Sequence, residues 1–373
     1  MKLAVTLLVF CVTALLALGL TMLYSSTMGQ PGAHFFLKQL VWCPFAIALC
    51  VGAASLDYRL LRKLAVPLLI TSVVLLALVL EHHIGLKINN ARRWLGHNSF
   101  RLQPSEFAKL SLIIALAWYG EHFQRQMQTW KRGVVIPGAI VTVVLGLIFV
   151  EPDRGTTILM ASVAGIMLVI AGVRWVYIVP SVCAALAGLA ISLSYDQMRK
   201  GRIQAWLHME QHKEGIGYQA YHSMLALGSG GWTGLGLGNG LQKLGFVPEN
   251  HTDFILSIIG EELGAVATLL VVVAFVTILS CGLFIACSAR DTFGLLLGSG
   301  ISFLIALQAL INIGVTTSAL PNKGLPLPFV SYGGSNLLIM LASIGLLISI
   351  ARQTRAPEPI KSSRTESASS ETA

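Results

Sequence analysis

Long apolar runs separated by short polar breaks extend along almost the whole chain. Each run is close to the twenty or so residues that a helix needs to cross a bilayer. Ten such spans are predicted, at about residues 4–23, 36–55, 63–80, 105–119, 134–150, 155–172, 175–194, 254–288, 292–316 and 335–350. The pattern therefore predicts an all-α, polytopic membrane protein with a large external loop between spans 7 and 8.

Composition narrows the class of protein further. Of the 373 residues, 55% are hydrophobic and only 12% are charged, against roughly 25% charged in a soluble domain. A mean hydropathy of +0.73 leaves too little polar surface for a water-facing globule. The composition excludes a soluble enzyme, a secreted disulfide scaffold and a disordered chain. The first run is longer than the ~7–15-residue core of a signal peptide, so it is predicted to remain as a span.

The connections between spans are unequal, and charge does not orient them. Two loops are long, 81–104 and 196–253, and the polar segment 353–373 is predicted to be a disordered tail after a membrane domain of residues 1–352. Lysine and arginine divide almost equally between the two sets of loops, so the positive-inside rule gives no orientation. The formal net charge of +9 fits a solvated loop surface or a face that handles an anionic ligand.

Two ionisable residues stand inside the fourth predicted span. Glu106 and Lys109 are three residues apart, so they share a helix face and are predicted to pair. The alternative is a local role at the helix start, with Ser105 capping the helix and Glu106 favouring its positive end. Lys109 argues for the pair, because a cation near a helix start gains nothing from the dipole. Ionisable groups at membrane depth are costly and are functional candidates by default.

The run at 254–288 is too long for one span, and an acid stands at its beginning. Residues 264–286 already suffice to cross a bilayer with some tilt, so the part before them is predicted to project or to form a separate half-helix. Asp253, after Thr252, lies at a plausible helix start, where it is either a general base or a cap. In the ninth span, Gln308 and Asn312 are predicted to make interhelical hydrogen bonds.

The glycine-rich segment 228–245 does not have the spacing of a nucleotide-binding loop, and no strand–helix unit surrounds it. It is predicted to be a flexible, close-packed external loop over a pocket. The histidines form no convincing metal site, although a divalent cation, Mg²⁺ or Mn²⁺, is compatible with the chemistry below. No nucleic-acid partner is expected.

Several motifs follow one another along the chain. They are Asn-Ala-Arg-Arg-Trp at 90–94 with Gln-Pro-Ser-Glu-Phe-Ala-Lys at 103–109, Pro-Asp-Arg-Gly-Thr at 152–156, Gly-Tyr-Gln at 217–219 with Leu-Gly-Ser-Gly-Gly-Trp at 227–232, Pro-Glu-Asn-His-Thr-Asp at 248–253, and the segment 324–335. Taken together and in order, they resemble the SEDS family (shape, elongation, division and sporulation), bacterial membrane proteins that polymerise peptidoglycan. The resemblance covers about residues 5–352. The usual family pattern is altered at Asn90, Arg154 and Asn250.

The resemblance implies a ten-span fold in the bacterial cytoplasmic membrane, with cytoplasmic termini and an external catalytic loop. It implies lipid II as substrate, a class B penicillin-binding transpeptidase as partner, and further division proteins. Residues 259–264 and Lys323 are more similar to the division-type than to the elongation-type member, which implies a place at the division septum.

By the same resemblance, the catalytic aspartate falls on Asp253, with no residue assigned to metal. The substrate-binding candidates are Arg92, Arg93, Glu106, Lys109, Lys243, His251, Lys323 and Ser331.

The implied reaction is an inverting glycosyl transfer, in which one carboxylate base suffices because lipid diphosphate is already a leaving group. The alternatives are a lipid II flippase, the elongation-type polymerase, and a scaffold for division partners. A scaffold would leave the intramembrane charges unexplained. Asp253 favours chemistry over transit, because it lies at a helix start on the loop side.

Overall fold

The computed structural model describes residues 1–27, 34–82, 84–88, 91–97, 100–194, 197–247 and 251–355. Within them, the helices are α1 Lys2–Thr27, α2 His34–Ser55, α3 Leu61–Leu80, α4 Pro104–His122, α5 Ile136–Val150, α6 Arg154–Ile170, α7 Trp175–Ser194, α8 Gln197–Leu207, α9 Tyr218–Ser229, α10 Ile255–Cys287, α11 Thr292–Thr316 and α12 Gly334–Arg355. Ten of these coincide in order with the ten predicted spans, while α8 and α9 lie in the long loop between spans 7 and 8. The predicted all-α membrane fold is confirmed.

The spans differ in how far they face lipid. Helices α1, α2 and α3 expose most of their apolar surface, whereas α4, α11 and α12 are largely covered by protein. Helix α11 packs against α4, α6, α10 and α12 and lies at the centre of the bundle. Seven helices in the described part of the chain are long and apolar enough to cross a membrane. Helix α4 is less apolar, because a helix enclosed by protein can carry polar groups that meet partners there.

The start of α4 differs from one of the predicted alternatives. The helix begins at Pro104, with Gln103 at the N-cap position. The hydroxyl of Ser105 is buried and has no hydrogen-bond partner among the described residues, so the predicted Ser105 cap is wrong. Proline fixes the backbone at the first helical position, which places Ser105 at the second helical position, two residues beyond the N-cap.

The 81–104 connection, predicted only as a loop, contains a small antiparallel sheet. Its strands are β1 Leu86–Ile88, β2 Ala91–His97 and β3 Phe100–Leu102, in the order β1-β2-β3. Lys87 pairs with Arg92, and Leu95 pairs with Leu102. Since successive side chains on a strand point to opposite faces, the adjacent Arg92 and Arg93 are directed to different surroundings.

The bundle has two ends with different contents. At one end, here called the terminus face, the N-cap of α11 (Asp291) bonds Tyr58 at 2.8 Å, and Arg62 bonds Glu121 at 2.8 Å. The other end, here called the loop face, holds the sheet, the α5–α6 turn, the described parts of the connection between α7 and α10, and the 317–333 segment. These contacts bring the starts of α3 and α11 and the end of α4 to the same face, so α4 runs in the opposite direction to α3 and α11.

Helix α10 is broken at Gly264, whose φ of 79° and ψ of −177° are not helical. Residues 255–263 therefore form a half-helix at the loop face, which confirms the predicted division of this long run. A Cβ atom at Gly264 would lie 2.4 Å from the carbonyl oxygen of Trp232. Both the backbone conformation and the close approach require glycine.

The glycine-rich segment satisfies the backbone groups that this break releases. The amides of Leu235 and Gly236 donate to the carbonyls of Glu261 and Glu262 at 3.0 and 2.9 Å, and the amide of Ala265 donates to a carbonyl of the segment at 2.9 Å. A Cβ atom at Gly234 would lie 2.1 Å from the Glu262 carbonyl oxygen. The predicted close packing is confirmed. Irregular backbone near membrane depth is tolerated where protein supplies such partners.

Three expectations concern residues at the edge of the described set. Helix α12 continues to Arg355, and the rest of the predicted tail, 356–373, lies outside the described residues. Asn90 and Asn250, two of the departures from the family pattern, also lie outside them.

We expect Gly264→Ala to destabilise the protein by about 1–3 kcal/mol, because alanine is strained at this φ and ψ, and the clash with Trp232 adds to that cost. Gly165→Ala in α6 is the matched control, since a Cβ atom there meets nothing within 4 Å and alanine favours a helix. Thermal unfolding in detergent should show a lower midpoint for the first variant only. Equal midpoints would contradict the assigned break.

Candidate active site

Asp253 lies in the turn that leads into the half-helix and is half-buried. Helix α10 begins at Ile255 with Phe254 as N-cap, so Asp253 lies one residue outside the capping position that one alternative assigned to it. A Cβ atom at Gly324 would be 2.3 Å from the Asp253 Oδ2 atom. The carboxylate therefore rests against the backbone of the 317–333 segment, where a larger residue would displace it.

The backbone around Asp253 is fixed by side chains from two elements. Asn312 of α11 donates through Nδ2 to the Asp253 carbonyl at 2.8 Å and to the Leu325 carbonyl at 2.7 Å. The Ser331 hydroxyl donates to the Thr252 carbonyl and accepts from the Leu327 amide. These bonds join the Asp253 turn, α11 and the 317–333 segment into one unit.

His251 and Ser331, two of the predicted substrate-binding residues, lie beside Asp253. The His251 ring stacks on Phe35 of α2, with centroids 4.1 Å apart, and its carbonyl accepts from the Tyr332 amide at 2.9 Å. Ser331 is buried. Both residues shape the turn that carries the carboxylate.

Beneath this unit lies a buried polar chain, here called the core network, made of Glu106, Lys109, Gln308, Asn312 and Asn336. Lys109 is fully buried and pairs with Glu106 at 2.8 Å, which confirms the predicted pair. Its ammonium also donates to the side-chain amide oxygen Oε1 of Gln308 at 2.9 Å, which confirms an interhelical bond for Gln308.

The core network reaches the loop face at both ends. Gln308 donates to the Pro326 carbonyl at 2.9 Å, and Asn336 of α12 donates to the Glu106 carboxylate at 2.9 Å. Because Asn312, one turn further along α11, bonds the Asp253 carbonyl, the ion pair is connected to the aspartate through α11. The backbone of Asp253, at the end of this connected set of bonds, is held in one position.

Lys323 lies next to Gly324 and is partly buried. Burial lowers the pKa of its ammonium, the positive charge of Arg154 lowers the pKa further, and Asp153 opposes both. Asp153 caps α6 by accepting from the Thr156 amide at 3.2 Å. The guanidinium of Arg154, unusual for the resembled family, lies 4.6 Å from the ring centroid of Phe149.

Arg92 and Arg93 lie at the α5–α6 turn and have different partners. Arg93 donates through Nε to the Glu151 carbonyl at 2.9 Å and through Nη2 to the Pro152 carbonyl at 2.8 Å. Arg92 bonds the His82 Nδ1 atom at 2.8 Å. Arg93 therefore ties the sheet to the turn through two carbonyls, while Arg92, on the other face of the strand, bonds His82 instead.

Lys243 is separate from these groups. Its ammonium is buried and pairs with Glu262 at 2.6 Å, and it donates to the Ser25 hydroxyl of α1 at 2.9 Å. It joins the glycine-rich segment to the half-helix and to α1. A role in binding substrate stays a prediction for Lys243, as for the other candidates.

Sequence reasoning missed two contributors. Asn336 was not singled out, and neither was Glu151, whose side chain is fully buried at the end of α5. The signal for Glu151 was present, since an acid directly follows an apolar run and precedes Pro152. For Asn336, no local signal existed, because its partner Glu106 is distant in sequence.

The chain is similar over most of its length to proteins of a known family. A family model described as cell cycle protein, for FtsW, RodA and SpoVE, matches residues 4–356. The chain belongs to the FtsW/RodA/SpoVE family. It is 41% identical, over 92% of both chains, to the probable peptidoglycan glycosyltransferase FtsW of Trichlorobacter lovleyi. It is 36% identical to the stage V sporulation protein E of Bacillus subtilis, over 94% of this chain and 97% of that one.

Solved structures of the FtsW/RodA/SpoVE family agree with the fold. A chain of a peptidoglycan synthase complex that coordinates polymerization and crosslinking is similar at a TM-score of 0.80 and 27% identity, over 94% of this chain and 98% of that one. The rod shape determining protein RodA of Thermus thermophilus gives a TM-score of 0.71 and 28% identity, over 94% and 97%. The described bundle is therefore the fold of this family.

We expect the Glu106–Lys109 pair to be strongly non-additive. Glu106→Gln or Lys109→Met alone leaves a buried charge unpaired and should cost about 3–5 kcal/mol, while the double variant should cost less than the sum. A double-mutant cycle on the free energy of unfolding measures this coupling.

Arg62 and Glu121 at the terminus face provide the matched control pair. Their side chains are 34% and 24% exposed, so their coupling should be about 1 kcal/mol or less. Additive costs at Glu106 and Lys109 would show that the buried pair does not hold the core network together.

Proposed function

We propose that this chain is a peptidoglycan glycosyltransferase that polymerises lipid II into glycan strands at the outer face of the cytoplasmic membrane, with Asp253 as general base. The single observation that carries the proposal is the Asp253 carboxylate, which rests against Gly324 while its own carbonyl is held by Asn312. A half-buried carboxylate on a fixed backbone is suited to accept a proton from a bound hydroxyl.

The proposed step is an inverting substitution at the anomeric carbon of a lipid-linked N-acetylmuramic acid. The 4-hydroxyl of the acceptor N-acetylglucosamine gives its proton to Asp253 as its oxygen forms the new bond to that carbon. The bond from the carbon to the diphosphate oxygen breaks, and its electron pair leaves with undecaprenyl diphosphate. One carboxylate suffices, because the leaving group needs no protonation, unlike that in glycoside hydrolysis.

Negative charge grows on the departing diphosphate, and cations near Asp253 are suited to stabilise it. Lys323 adjoins the Gly324 backbone against which the carboxylate rests, and Arg92 and Arg93 lie at the neighbouring α5–α6 turn. Arg93 adds its charge while it anchors the turn. In this proposal, His251 and Ser331 shape the substrate-facing turn, and Glu106, Lys109 and Lys243 support it from the interior.

A divalent cation enters no step of this mechanism. Within the described ranges, no group of three or more His, Cys, Asp or Glu side chains is assembled that would hold a metal ion. Mg²⁺ or Mn²⁺ carried in with the diphosphate would share the neutralisation of its charge.

The membrane orientation, the partner and the cellular location of this chain are part of the same proposal. The loop face is external and both termini are cytoplasmic, since the reacting groups are gathered at the loop face and lipid II is used outside. A class B penicillin-binding transpeptidase is the proposed partner, supported by the similarity to a chain of a synthase complex. The similarity to FtsW proteins supports a role in septal synthesis, together with other division proteins.

A lipid II flippase remains the second candidate, because the buried Glu106–Lys109 pair suits any lined cavity. The observations favour catalysis. The pair bonds Gln308 and Asn336, so its charges hold the loop face together.

We expect Asp253→Asn to lower the rate of glycan polymerisation by about 10²–10⁴-fold, because the amide keeps the shape of the side chain but accepts no proton. The assay follows polymer formation from purified lipid II with the cognate transpeptidase. Asp57→Asn is the control, since Asp57 caps a short helical turn at the terminus face. A wild-type polymer yield from a folded Asp253→Asn protein would overturn the assignment of the base. A flippase would give no polymer even from the unaltered protein.

Arg92→Gln should slow polymerisation by roughly tenfold to a hundredfold, less than the 10²–10³-fold loss typical of a donor in a dry site, because Arg92 is only partly buried. Lys63→Gln removes an exposed cation at the terminus face and should not change the rate. Single-turnover rates at saturating lipid II separate this effect from weaker binding. An unchanged rate for Arg92→Gln would make Arg92 part of a solvated loop surface.

A further inference from the structure

A cavity of about 410 Å³ opens at the loop face beside the α5–α6 turn. Three basic side chains line it, namely His82, Lys87 and Arg92, together with Glu151 and a few apolar residues. The cavity adjoins the turn that carries Asp153 and Arg154, and Gly155 of the same turn packs against Leu325. It is therefore separated from the Asp253 unit by one turn of chain.

Glu151 is the unusual member of this cavity. Its side chain is fully buried, and neither carboxylate oxygen has a hydrogen-bond partner in the described part of the chain. Its carbonyl is bonded by Arg93, so the residue is held in place by its backbone while its acid group is unused. A buried polar group without a partner is costly and indicates a ligand that completes it.

The charge state of Glu151 follows from its surroundings. Burial, helped by the negative charge of Asp153 and opposed by Arg93, raises the pKa of its carboxyl to about 8. The other charged or titratable side chains that line the same cavity are Lys87, Arg92 and His82. At neutral pH, the carboxyl is mostly protonated and is a hydrogen-bond donor.

We propose that this cavity binds a phosphate ester or diphosphate group, with the neutral carboxyl of Glu151 donating a hydrogen bond to a phosphate oxygen while Lys87 and Arg92 supply positive charge. In that state, all of these groups are donors, which matches an anion that only accepts. Ionisation of Glu151 removes a donor and adds a repelling charge beside the anion.

The proposal rests on the proposed function, because it names the place where the diphosphate of the lipid-linked sugar is held relative to Asp253. The same phosphate chemistry is present in the headgroup of an anionic phospholipid. The source is therefore decided by experiment, with an isoprenyl diphosphate and a phosphatidylglycerol bilayer as the two probes.

The test measures binding of farnesyl diphosphate to the full-length protein in detergent by calorimetry at pH 6.5 and pH 9. One pH unit above the pKa leaves about a tenth of the carboxyl neutral, so the affinity of the unaltered protein, relative to Glu151→Gln, should fall about tenfold over this range. The amide keeps a donor and does not ionise, and comparison at each pH cancels the titration of the probe. Glu151→Ala should lose affinity at both pH values.

Glu121→Gln is the matched control, since Glu121 pairs with Arg62 at the terminus face. It should show the same pH dependence as the unaltered protein. Parallel pH profiles for the unaltered protein and Glu151→Gln, or absence of binding by the unaltered protein, would overturn the proposal.

Two further arms separate the outcomes. In nanodiscs, farnesyl diphosphate should bind with the same affinity in phosphatidylglycerol and in phosphatidylcholine bilayers. If phosphatidylglycerol displaces farnesyl diphosphate and phosphatidylcholine does not, the cavity binds a bilayer headgroup and its role for substrate is overturned. Asp253→Asn should bind farnesyl diphosphate with the pH dependence of the unaltered protein. If the unaltered protein binds in this way and makes no polymer, the proposed function fails while the anion site stands.

Discussion

The ion pair between Glu106 and Lys109 is the interaction on which the loop face depends. A lysine with no exposed surface is tolerated inside a membrane bundle only when its charge and its three donors are satisfied. Glu106 supplies the charge and Gln308 a second acceptor. Because those partners are bonded in turn to Pro326 and Asn336, satisfying one ammonium fixes the relation between α4, α11, α12 and the 317–333 segment.

The second constraint is that non-helical backbone near the membrane needs hydrogen-bond partners. The protein supplies these partners at two places. Where α10 breaks at Gly264, the glycine-rich segment supplies amides and carbonyls to the released groups. Where the 317–333 segment leaves helical structure, Gln308, Asn312 and Ser331 bond its carbonyls or amides. Backbone that is neither helix nor sheet is thereby held rigidly, and Asp253 lies between the two places.

The charges at the loop face are divided by depth. Lys109 and Lys243 are neutralised in buried pairs. They therefore stabilise the fold and add little positive electrostatic potential to the loop face. Arg92 and Lys87 line a cavity, and Lys323 precedes Gly324, against which the Asp253 carboxylate rests. The basic residues counted in the loops of the sequence are therefore of two kinds, those buried in ion pairs and those that are accessible. Only the contacts in the folded protein tell the two kinds apart.

The lengths of the apolar runs determined the ten spans and the division of α10. Bilayer thickness fixes the length of a span, and a 33-residue helix exceeds that length. Helical spacing determined that Glu106 and Lys109 share a face. The sheet at 86–102 was not predicted, since its strands are short and their pairing is set by contacts across the turn. The connection from Glu106 to Asn336 and from Asn312 to Asp253, and the enclosure of Glu151, were decided only by tertiary structure. These contacts join residues that are far apart in sequence. The burial of Glu151 depends on neighbouring side chains that a local sequence pattern does not predict.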